Sequence, residues 1–138
     1  MFAPDTRLLL VEDVESVRTK IQQQLQALGF QDVTLATNGK EALAILFDAQ
    51  QAARDFEVVL SDWNMPFMDG LELLHVLRTS EYSTSVPFIL FSSEIRADLI
   101  LEAISSGLSG YLRKPFSNAQ LESALKLVWK QAARGHVA

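Results

Sequence analysis

The stretch FEVVLSDWNMPFMDG (residues 56–70) joins a run of strand-forming residues directly to a group of turn-forming residues. The run FEVVL shows little alternation of polar and apolar residues, which is typical of a parallel strand covered on both faces. Asp62 stands at the end of this strand, and Asn64, Pro66 and Gly70 follow it. These residue types are common in turns, so a strand that ends in a turn is one explanation. A charged site at the edge of a sheet is the other.

The same pairing of a short apolar run with a helical pattern occurs four more times along the chain. These runs lie at residues 7–11, 33–36, 87–91 and 110–112. After each of the five runs, apolar residues recur at steps of three and four, which is the spacing of one helix face. They include Val14, Val17, Ile21, Leu25 and Leu28 in the first helix, Ala42, Leu43, Ile45, Leu46 and Ala49 in the second, Leu71, Leu74 and Leu77 in the third, Ile95, Leu99, Ala103 and Ile104 in the fourth, and Leu121, Leu125, Val128 and Trp129 in the fifth. Five β–α units predict an α/β fold, a doubly wound five-stranded parallel sheet flanked by five helices.

Length and composition restrict the class of protein. A chain of 138 residues with 49% hydrophobic and 21% charged residues predicts one folded domain rather than a disordered segment. The net charge of −5 argues against a nucleic-acid-binding protein, which needs clustered basic residues. Since the chain has no cysteine, disulfides and cysteine nucleophiles are excluded. No apolar run is long enough to cross a membrane and no signal peptide begins the chain, so we expect a cytoplasmic protein. We also expect a monomer.

Polar residues stand at the carboxyl ends of the predicted strands, where open parallel sheets bind their ligands. Glu12 and Asp13 follow the first strand, Asp62 the third, Ser92 the fourth and Lys114 the fifth. Each residue taken alone has a local explanation, such as an acidic first turn of a helix, a turn, a helix cap or a surface lysine. Because separate chain segments place all of them at one edge, a shared site explains the set better.

The chemistry of this set is consistent with phosphoryl transfer. Crowded carboxylates raise each other's pKa unless a cation lies among them, and carboxylate oxygens without His or Cys suit Mg²⁺. A carboxylate beside such an ion can accept a phosphoryl group and form an acyl phosphate. A metal and a lysine neutralise charge on the transferring group, and a hydroxyl binds a phosphoryl oxygen. We therefore interpret Asp62 as the nucleophile and Glu12 and Asp13 as metal ligands.

The sequence resembles the receiver domain of two-component response regulators, most closely the CheY-like single-domain regulators of chemotaxis. The resemblance rests on VED (11–13), SDWNMPFMDG (61–70), FSSE (91–94) and YLRKPF (111–116). It extends over about residues 7–133 and implies one receiver domain over residues 1–138, strand order 2-1-3-4-5 and no output domain.

The resemblance implies a role for each acidic residue of the predicted site. Asp62 is expected to be the phosphorylated residue. Asp13, Asp62 and the backbone carbonyl of Asn64 are expected to bind Mg²⁺, with Glu12 assisting. Asn64 and Glu94 occupy the two positions that adjust the attack of water on the phosphorylated aspartate.

The resemblance also implies a switch. Ser92 is expected to supply the hydroxyl that reaches the phosphoryl group, and Lys114 to be its ion-pair partner. Tyr111 is expected to turn inward as this hydroxyl moves, and the Lys114–Pro115 peptide bond is expected to be cis. Arg113 stands where many members of the family have an apolar residue, beside the partner-binding face of helix 4, strand 5 and helix 5.

The function implied is that of a stand-alone response regulator rather than an enzyme. It would accept a phosphoryl group from a histidine kinase and bind a downstream effector, such as a flagellar motor switch. A phosphatase is a further partner that the resemblance implies. A phosphorelay shuttle or phosphate sink is the alternative. A haloacid-dehalogenase-type phosphatase needs a second aspartate where Asn64 stands, and a flavodoxin-like carrier needs a phosphate loop where VEDVESV stands.

Four other residues are expected to have no direct role in phosphoryl transfer. We expect His75 at the surface of the third helix and His136 in the C-terminal tail. We expect Trp129 to pack in the core or in an interface, and Trp63 to be partly exposed beside Asp62.

Overall fold

The computed structural model describes residues 2–79, 85–94 and 96–135. Strands and helices alternate in this part of the chain. They are β1 (Arg7–Val11), α1 (Glu15–Ala27), β2 (Asp32–Ala36), α2 (Gly39–Gln51), β3 (Val58–Asp62), α3 (Gly70–Thr79), β4 (Phe88–Ser92), α4 (Ala97–Ser105), β5 (Gly110–Arg113) and α5 (Asn118–Gly135). The strands form one sheet in the order β2-β1-β3-β4-β5, and every neighbouring pair is parallel. The predicted doubly wound fold and its strand order are confirmed.

Two apolar layers, one on each face of the sheet, form the core. Successive residues of a strand point to opposite faces, so β1 contributes to both layers. Leu8 and Leu10 lie in the layer with buried residues of α1 and α5. Leu9 and Val11 lie in the layer with buried residues of α2, α3 and α4. Because helices cover both faces, the central strands have no polar side to present, which explains their apolar sequences.

The third strand begins two residues after the start of its apolar run and ends at Asp62, where the sequence predicts its end. Phe56 is buried but precedes β3, and the guanidinium carbon of Arg7 lies 4.3 Å from the centre of its ring. At the other end, Asp62 is the last residue of β3 and pairs with Phe91 of β4. Pairing with both neighbouring strands sets the limits of β3, and this pairing continues past the apolar run into the polar residues.

At three positions, an apolar residue with helical spacing is exposed rather than buried. Val14, Ile104 and Trp129 share the helical spacing of their apolar neighbours but are 46%, 55% and 38% exposed. Trp129 therefore does not pack in the core, and its packing in an interface stays a prediction. Val14 precedes the first residue of α1, and the other two lie beside buried residues but turn toward solvent. Ile95, predicted on the face of the fourth helix, falls outside the described residues. No helix in the described part of the chain is both long and apolar enough to span a bilayer.

The loop between β3 and α3 is held tightly against its neighbours. The Gly70 N–H donates to the Trp63 carbonyl at 2.9 Å, which closes the loop on itself. The Gly39 N–H donates to the Met68 carbonyl at 3.0 Å, which ties the loop to the start of α2. A Cβ at Gly39 would lie 2.6 Å from that carbonyl oxygen, so only glycine permits this approach. The loop therefore has a fixed position at the carboxyl ends of the strands.

Candidate functional site

Three acidic residues meet at the carboxyl ends of β1 and β3. Glu12 and Asp13 directly follow β1, and Asp62 ends β3, its neighbour in the sheet. One carboxylate oxygen from each residue lies within 4.8 Å of the others. Glu12 is fully buried and Asp62 is 4% exposed, whereas Asp13 is exposed to solvent. The adjacency of the two strands thus produces the cluster that the sequence predicts.

Lys114 extends from the end of β5 to this cluster. Its Nζ lies 3.1 Å from Oδ2 of Asp62 and 3.4 Å from Oε1 of Glu12. β4 separates β5 from β3, so the side chain crosses the end of β4 to reach them. The backbone N–H of Lys114 donates to the Ser92 carbonyl at 2.7 Å, and the Lys114–Pro115 peptide bond is cis. The sheet itself therefore holds the base of this side chain.

The electrostatics of the site are dominated by negative charge. Burial raises the pKa of Glu12 to about 8, and the charge of Asp62 acts in the same direction while Lys114 opposes both. Burial lowers the pKa of Lys114, but the negative charges of Asp62 and Glu12 outweigh it, so the pKa of Lys114 is above its ordinary value. Lys114 therefore stays charged, whereas Glu12 retains its proton to a higher pH than an ordinary carboxylate when no cation is bound.

The donor set fits a small hard cation. Oε2 of Glu12 is buried, and no hydrogen-bond partner for it exists among the described residues. Such an oxygen is costly to bury unless a ligand satisfies it. With the nearby oxygens of Asp13 and Asp62 it forms an all-carboxylate set of the kind that binds Mg²⁺. Asn64, whose carbonyl is the fourth predicted ligand, lies at the surface two residues beyond Asp62.

A short chain of hydrogen bonds links the ends of β4 and β5. The Glu94 N–H donates to Oγ of Ser92 at 3.2 Å, and the Tyr111 hydroxyl donates to the Glu94 carbonyl at 2.8 Å. Burial raises the pKa of Tyr111, while Ser92 and Arg113 oppose the shift. The peptide groups of Glu94 therefore lie between the predicted switch hydroxyl and the predicted switch aromatic residue.

Trp63 is 6% exposed, so the prediction that it is partly exposed is wrong. The ring of Tyr111 packs edge-on against it, with 6.2 Å between the ring centroids. Trp63 also belongs to the apolar layer under α2, α3 and α4. Sequence alone hides this contact because the two aromatic residues are 48 positions apart.

A small cavity of about 50 Å³ lies next to Ser92. It is lined by Trp63, Asn64, Ser92, Glu94, Arg96 and Leu99. This volume corresponds to one or two water molecules, each occupying about 30 Å³ in the liquid. The cavity brings together Asn64 and Glu94, the two positions predicted to adjust hydrolysis.

Sequence reasoning missed Arg18, which supports the acidic pair from α1. Its Nη1 donates to the backbone carbonyl of Glu12 at 2.8 Å. No motif marks this contact, because it joins a helix side chain to a main-chain atom of the preceding strand end. Of the two histidines, His75 is exposed on α3, and His136 lies outside the described residues.

The chain belongs to the family described as the response regulator receiver domain, whose model matches residues 8–126. Among its relatives, it is 33% identical over 125 residues to chemotaxis protein CheY-3 of Vibrio cholerae, covering 91% of this chain and 92% of the relative. It is 31% identical to chemotaxis protein CheY of Pseudomonas aeruginosa, covering 91% and 97%. The solved structure of Vibrio cholerae CheY4 matches with a TM-score of 0.77 at 33% identity, covering 90% and 98%. A Francisella response regulator receiver domain matches with a TM-score of 0.77 at 29% identity, covering 93% and 99%.

The chain is therefore a CheY-like receiver domain, and its family places it in two-component signalling. Receiver domains are signalling switches rather than conventional enzymes. They generally bind Mg²⁺ at an acidic site, and Glu12, Asp13 and Asp62 form such a cluster here. Membership of the family also implies a histidine kinase on one side and a downstream target on the other.

Proposed function

We propose that this protein is a phosphorylation switch that accepts a phosphoryl group from a histidine kinase onto Asp62. The contact between Asp62 and Lys114 is the observation that supports this most directly. A buried carboxylate at the end of a central strand lies 3.1 Å from a lysine ammonium, with two further carboxylates beside it. This arrangement provides a nucleophile, a cation for the transferring group and a set of metal ligands in one place.

In the proposed reaction a carboxylate oxygen of Asp62 forms a bond to phosphorus while the phosphorus–nitrogen bond of a phosphohistidine breaks. The imidazole leaves with the electron pair of that bond and takes up a proton. Lys114 stabilises negative charge on the phosphoryl oxygens. When bound to Glu12, Asp13 and Asp62, Mg²⁺ would supply further neutralisation of that charge.

We propose that Ser92, Glu94 and Tyr111 convert phosphorylation into a change of surface. The Ser92 hydroxyl now accepts a hydrogen bond from the Glu94 N–H, and Tyr111 holds the carbonyl of the same residue. A phosphoryl group on Asp62 offers the hydroxyl a stronger, charged acceptor. Moving the hydroxyl alters the loop between β4 and α4 and shifts the population of states at the face formed by α4, β5 and α5. A downstream effector then binds that face.

Labelling with a small phosphodonor tests the phosphorylation site. Acetyl phosphate with Mg²⁺ should add one phosphoryl group to the wild-type protein, as measured by intact mass, and none to Asp62→Asn. Asp69→Asn is the matched control, because Asp69 lies in the same loop and caps α3 through the N–H of Glu72 at 2.8 Å. Stoichiometric labelling of Asp62→Asn at the same site would refute the assignment.

Two further variants test the switch separately from the chemistry. Ser92→Ala should still be labelled on Asp62 but should lose the phosphorylation-dependent change in hydrogen exchange over α4, β5 and α5. Lys114→Ala should still bind Mg²⁺ but should not switch. If Ser92→Ala responded like the wild type, the proposed role of its hydroxyl would be wrong.

The names of the two relatives support chemotaxis as the pathway. Deletion of the gene should therefore impair spreading in soft agar, and Asp62→Asn should fail to restore it. The phosphorylated protein should also bind a component of the flagellar motor switch in a pull-down. Normal motility combined with onward transfer of the phosphoryl group to a second histidine domain would instead identify a phosphorelay shuttle.

A further inference from the structure

The side chain of Arg18 reaches back from α1 to the link between β1 and α1, which carries two of the predicted metal ligands. This link is only three residues long, because β1 ends at Val11 and α1 begins at Glu15. Nη1 of Arg18 donates to the backbone carbonyl of Glu12 at 2.8 Å. The backbone N–H of Arg18 donates to the Val14 carbonyl at 2.9 Å. The first turn of the helix therefore holds the base of this side chain, and the link holds its tip.

The hydrogen bond from Arg18 completes the fixation of the Glu12 backbone. On the amino side, the Glu12 N–H donates to the carbonyl of Ala36 in β2 at 3.0 Å. On the carboxyl side, the pairing of β1 with both of its neighbours has ended at Val11. A main-chain carbonyl at such a position still requires a donor, and Arg18 supplies it. The sheet and α1 thus hold Glu12 from opposite sides.

The same hydrogen bond also constrains Asp13, through the peptide group that joins it to Glu12. A peptide group is planar, so the direction of the Glu12 carbonyl sets the direction of the Asp13 N–H and the point from which the Asp13 backbone continues. The Asp13 carboxylate is exposed, and among the described residues it has no hydrogen-bond or ion-pair partner. Its position beside Glu12 and Asp62 in the metal-free protein therefore depends on the backbone.

The charge of Arg18 and its hydrogen bond have opposite effects on the binding of a cation. A guanidinium is always charged in proteins, and a positive charge beside the site repels a divalent cation. Loss of this charge alone would strengthen Mg²⁺ binding, and salt would screen the effect. Loss of the hydrogen bond would weaken Mg²⁺ binding, because a ligand that must first be ordered binds with lower affinity. The sign of the change therefore separates the two roles.

We propose that Arg18 is a positioning residue for the metal site, which holds the peptide group between Glu12 and Asp13 in the orientation that directs both carboxylates toward the cation. This inference rests on the part of the proposed function in which Glu12, Asp13 and Asp62 bind Mg²⁺. Hydrogen-bond partners of this kind, which hold metal ligands without touching the metal, commonly contribute to metal affinity. A helix that covers one face of the sheet thus takes part in forming the site.

Arg18→Met and Arg18→Lys test this role, and Lys20→Met is the matched control. Methionine keeps an unbranched side chain but has no N–H donor, whereas lysine keeps the charge and a donor. Lys20 is an exposed cation on the same helix, so its replacement removes the same charge at a position away from the Glu12 carbonyl. The dissociation constant for Mg²⁺ is measured by titration of the amide NMR signals of the site, at physiological and at high salt.

We expect Arg18→Met to raise the dissociation constant for Mg²⁺ by about tenfold, at both salt concentrations. Arg18→Lys should restore it to within about threefold of the wild-type value, and Lys20→Met should stay within about twofold. In the metal-free protein, the order parameter of the Asp13 amide should fall in Arg18→Met from about 0.85, the value of a rigid backbone, toward about 0.6. At saturating Mg²⁺, labelling of Arg18→Met by acetyl phosphate should stay close to the wild-type rate.

Three results would overturn the proposal. Tighter Mg²⁺ binding in Arg18→Met that disappears at high salt would show an effect of charge alone. An unchanged dissociation constant with a lower free energy of unfolding would make the contact merely structural. Slower labelling at saturating Mg²⁺ with unchanged affinity would place Arg18 on the phosphoryl group. If the wild type bound Mg²⁺ but was not labelled on Asp62, the proposed phosphorylation would be refuted, while the dissociation constants would still decide the role of Arg18.

Discussion

The two ends of the sheet differ in how deeply charged side chains are buried and in how closely residues pack around glycines. At the amino end, Arg7 faces Asp32 with 3.5 Å between Nε and Oδ2, and both side chains are partly exposed. At the carboxyl end, Glu12 is fully buried and meets Asp62 and a single lysine. At the amino end, solvent therefore reaches both side chains of this ion pair. The carboxyl end gathers like charges out of water, which costs stability and is typical of a functional site.

Two glycines, one near each end of the sheet, differ in how much space surrounds them. A Cβ at Gly29, in the loop that leads into β2 at the amino end, would meet nothing within 4 Å. A Cβ at Gly70, beside the acidic site, would lie 2.3 Å from the Asp62 carbonyl oxygen and 2.6 Å from a methyl carbon of Leu90. Among the glycines of the described residues, the closest approach thus lies beside Asp62.

Gly70→Ala should give the largest effect on stability. The added methyl group cannot avoid the backbone of Asp62, so we expect the free energy of unfolding to fall by about 3 kcal/mol or more, measured by urea denaturation. Gly29→Ala is the control: its φ of 101° disfavours alanine, but the space is open, so a loss of about 1 kcal/mol is expected. Equal losses in the two variants would remove the contrast between the two ends.

Glu12→Gln should change how stability depends on pH. The pKa of Glu12 rises from 4.5 in the unfolded chain to about 8 in the folded protein. Between these values the folded state keeps a proton that the unfolded chain has released, so the stability of the metal-free protein falls as pH rises from about 4.5 to about 8.

We expect this fall to amount to at most roughly 5 kcal/mol in the wild type and to be largely absent in Glu12→Gln, as measured by urea denaturation in EDTA. Asp32→Asn, at the other end of the sheet, should keep the wild-type slope. A slope that survives Glu12→Gln would show that another group is responsible.

The smallest expected effects on stability come from breaking the ion pairs at the two ends of the sheet. Lys114→Met removes the lysine that contacts the buried carboxylates. We expect a loss of about 1–2 kcal/mol at pH 8 without metal, less than for a fully buried ion pair because the Lys114 side chain is 21% exposed. Asp32→Asn breaks an exposed pair and should cost less than about 1 kcal/mol. Adding Mg²⁺ should restore part of the loss in Lys114→Met and change Asp32→Asn no more than it changes the wild type. A larger loss in Asp32→Asn would reverse the comparison.

The sequence predicts much of the fold because both faces of this sheet are covered. Strands such as β1 and β4 each contain four consecutive apolar residues, and apolar residues of the helices between the strands keep helical spacing, so five β–α units can be counted directly. The acidic cluster follows from the same reasoning, since the ends of neighbouring parallel strands meet at one edge. Glu12, Asp13, Asp62 and Lys114 therefore lie together as expected.

What the sequence could not predict depends on contacts between distant residues. Trp63 follows an aspartate at a strand end, which suggests exposure, yet Tyr111 from another strand covers it. Trp129 has the spacing of its buried neighbours but lies at the margin of that face. The contact of Arg18 with the Glu12 carbonyl and the left-handed backbone at Phe67 depend on backbone geometry that no residue pattern records.

The backbone hydrogen bond from Lys114 to Ser92 limits which insertions and deletions this segment of the chain can tolerate. Arg113 pairs with Ser92 in the sheet, and the next N–H along the chain is the donor. Deleting one residue within β5 would bring Pro115 into the place of Lys114. Proline has no N–H to donate and no ammonium group, so one deletion would remove the backbone anchor and the cation together. Insertions and deletions should therefore be tolerated far less within residues 110–114 than in the preceding turn.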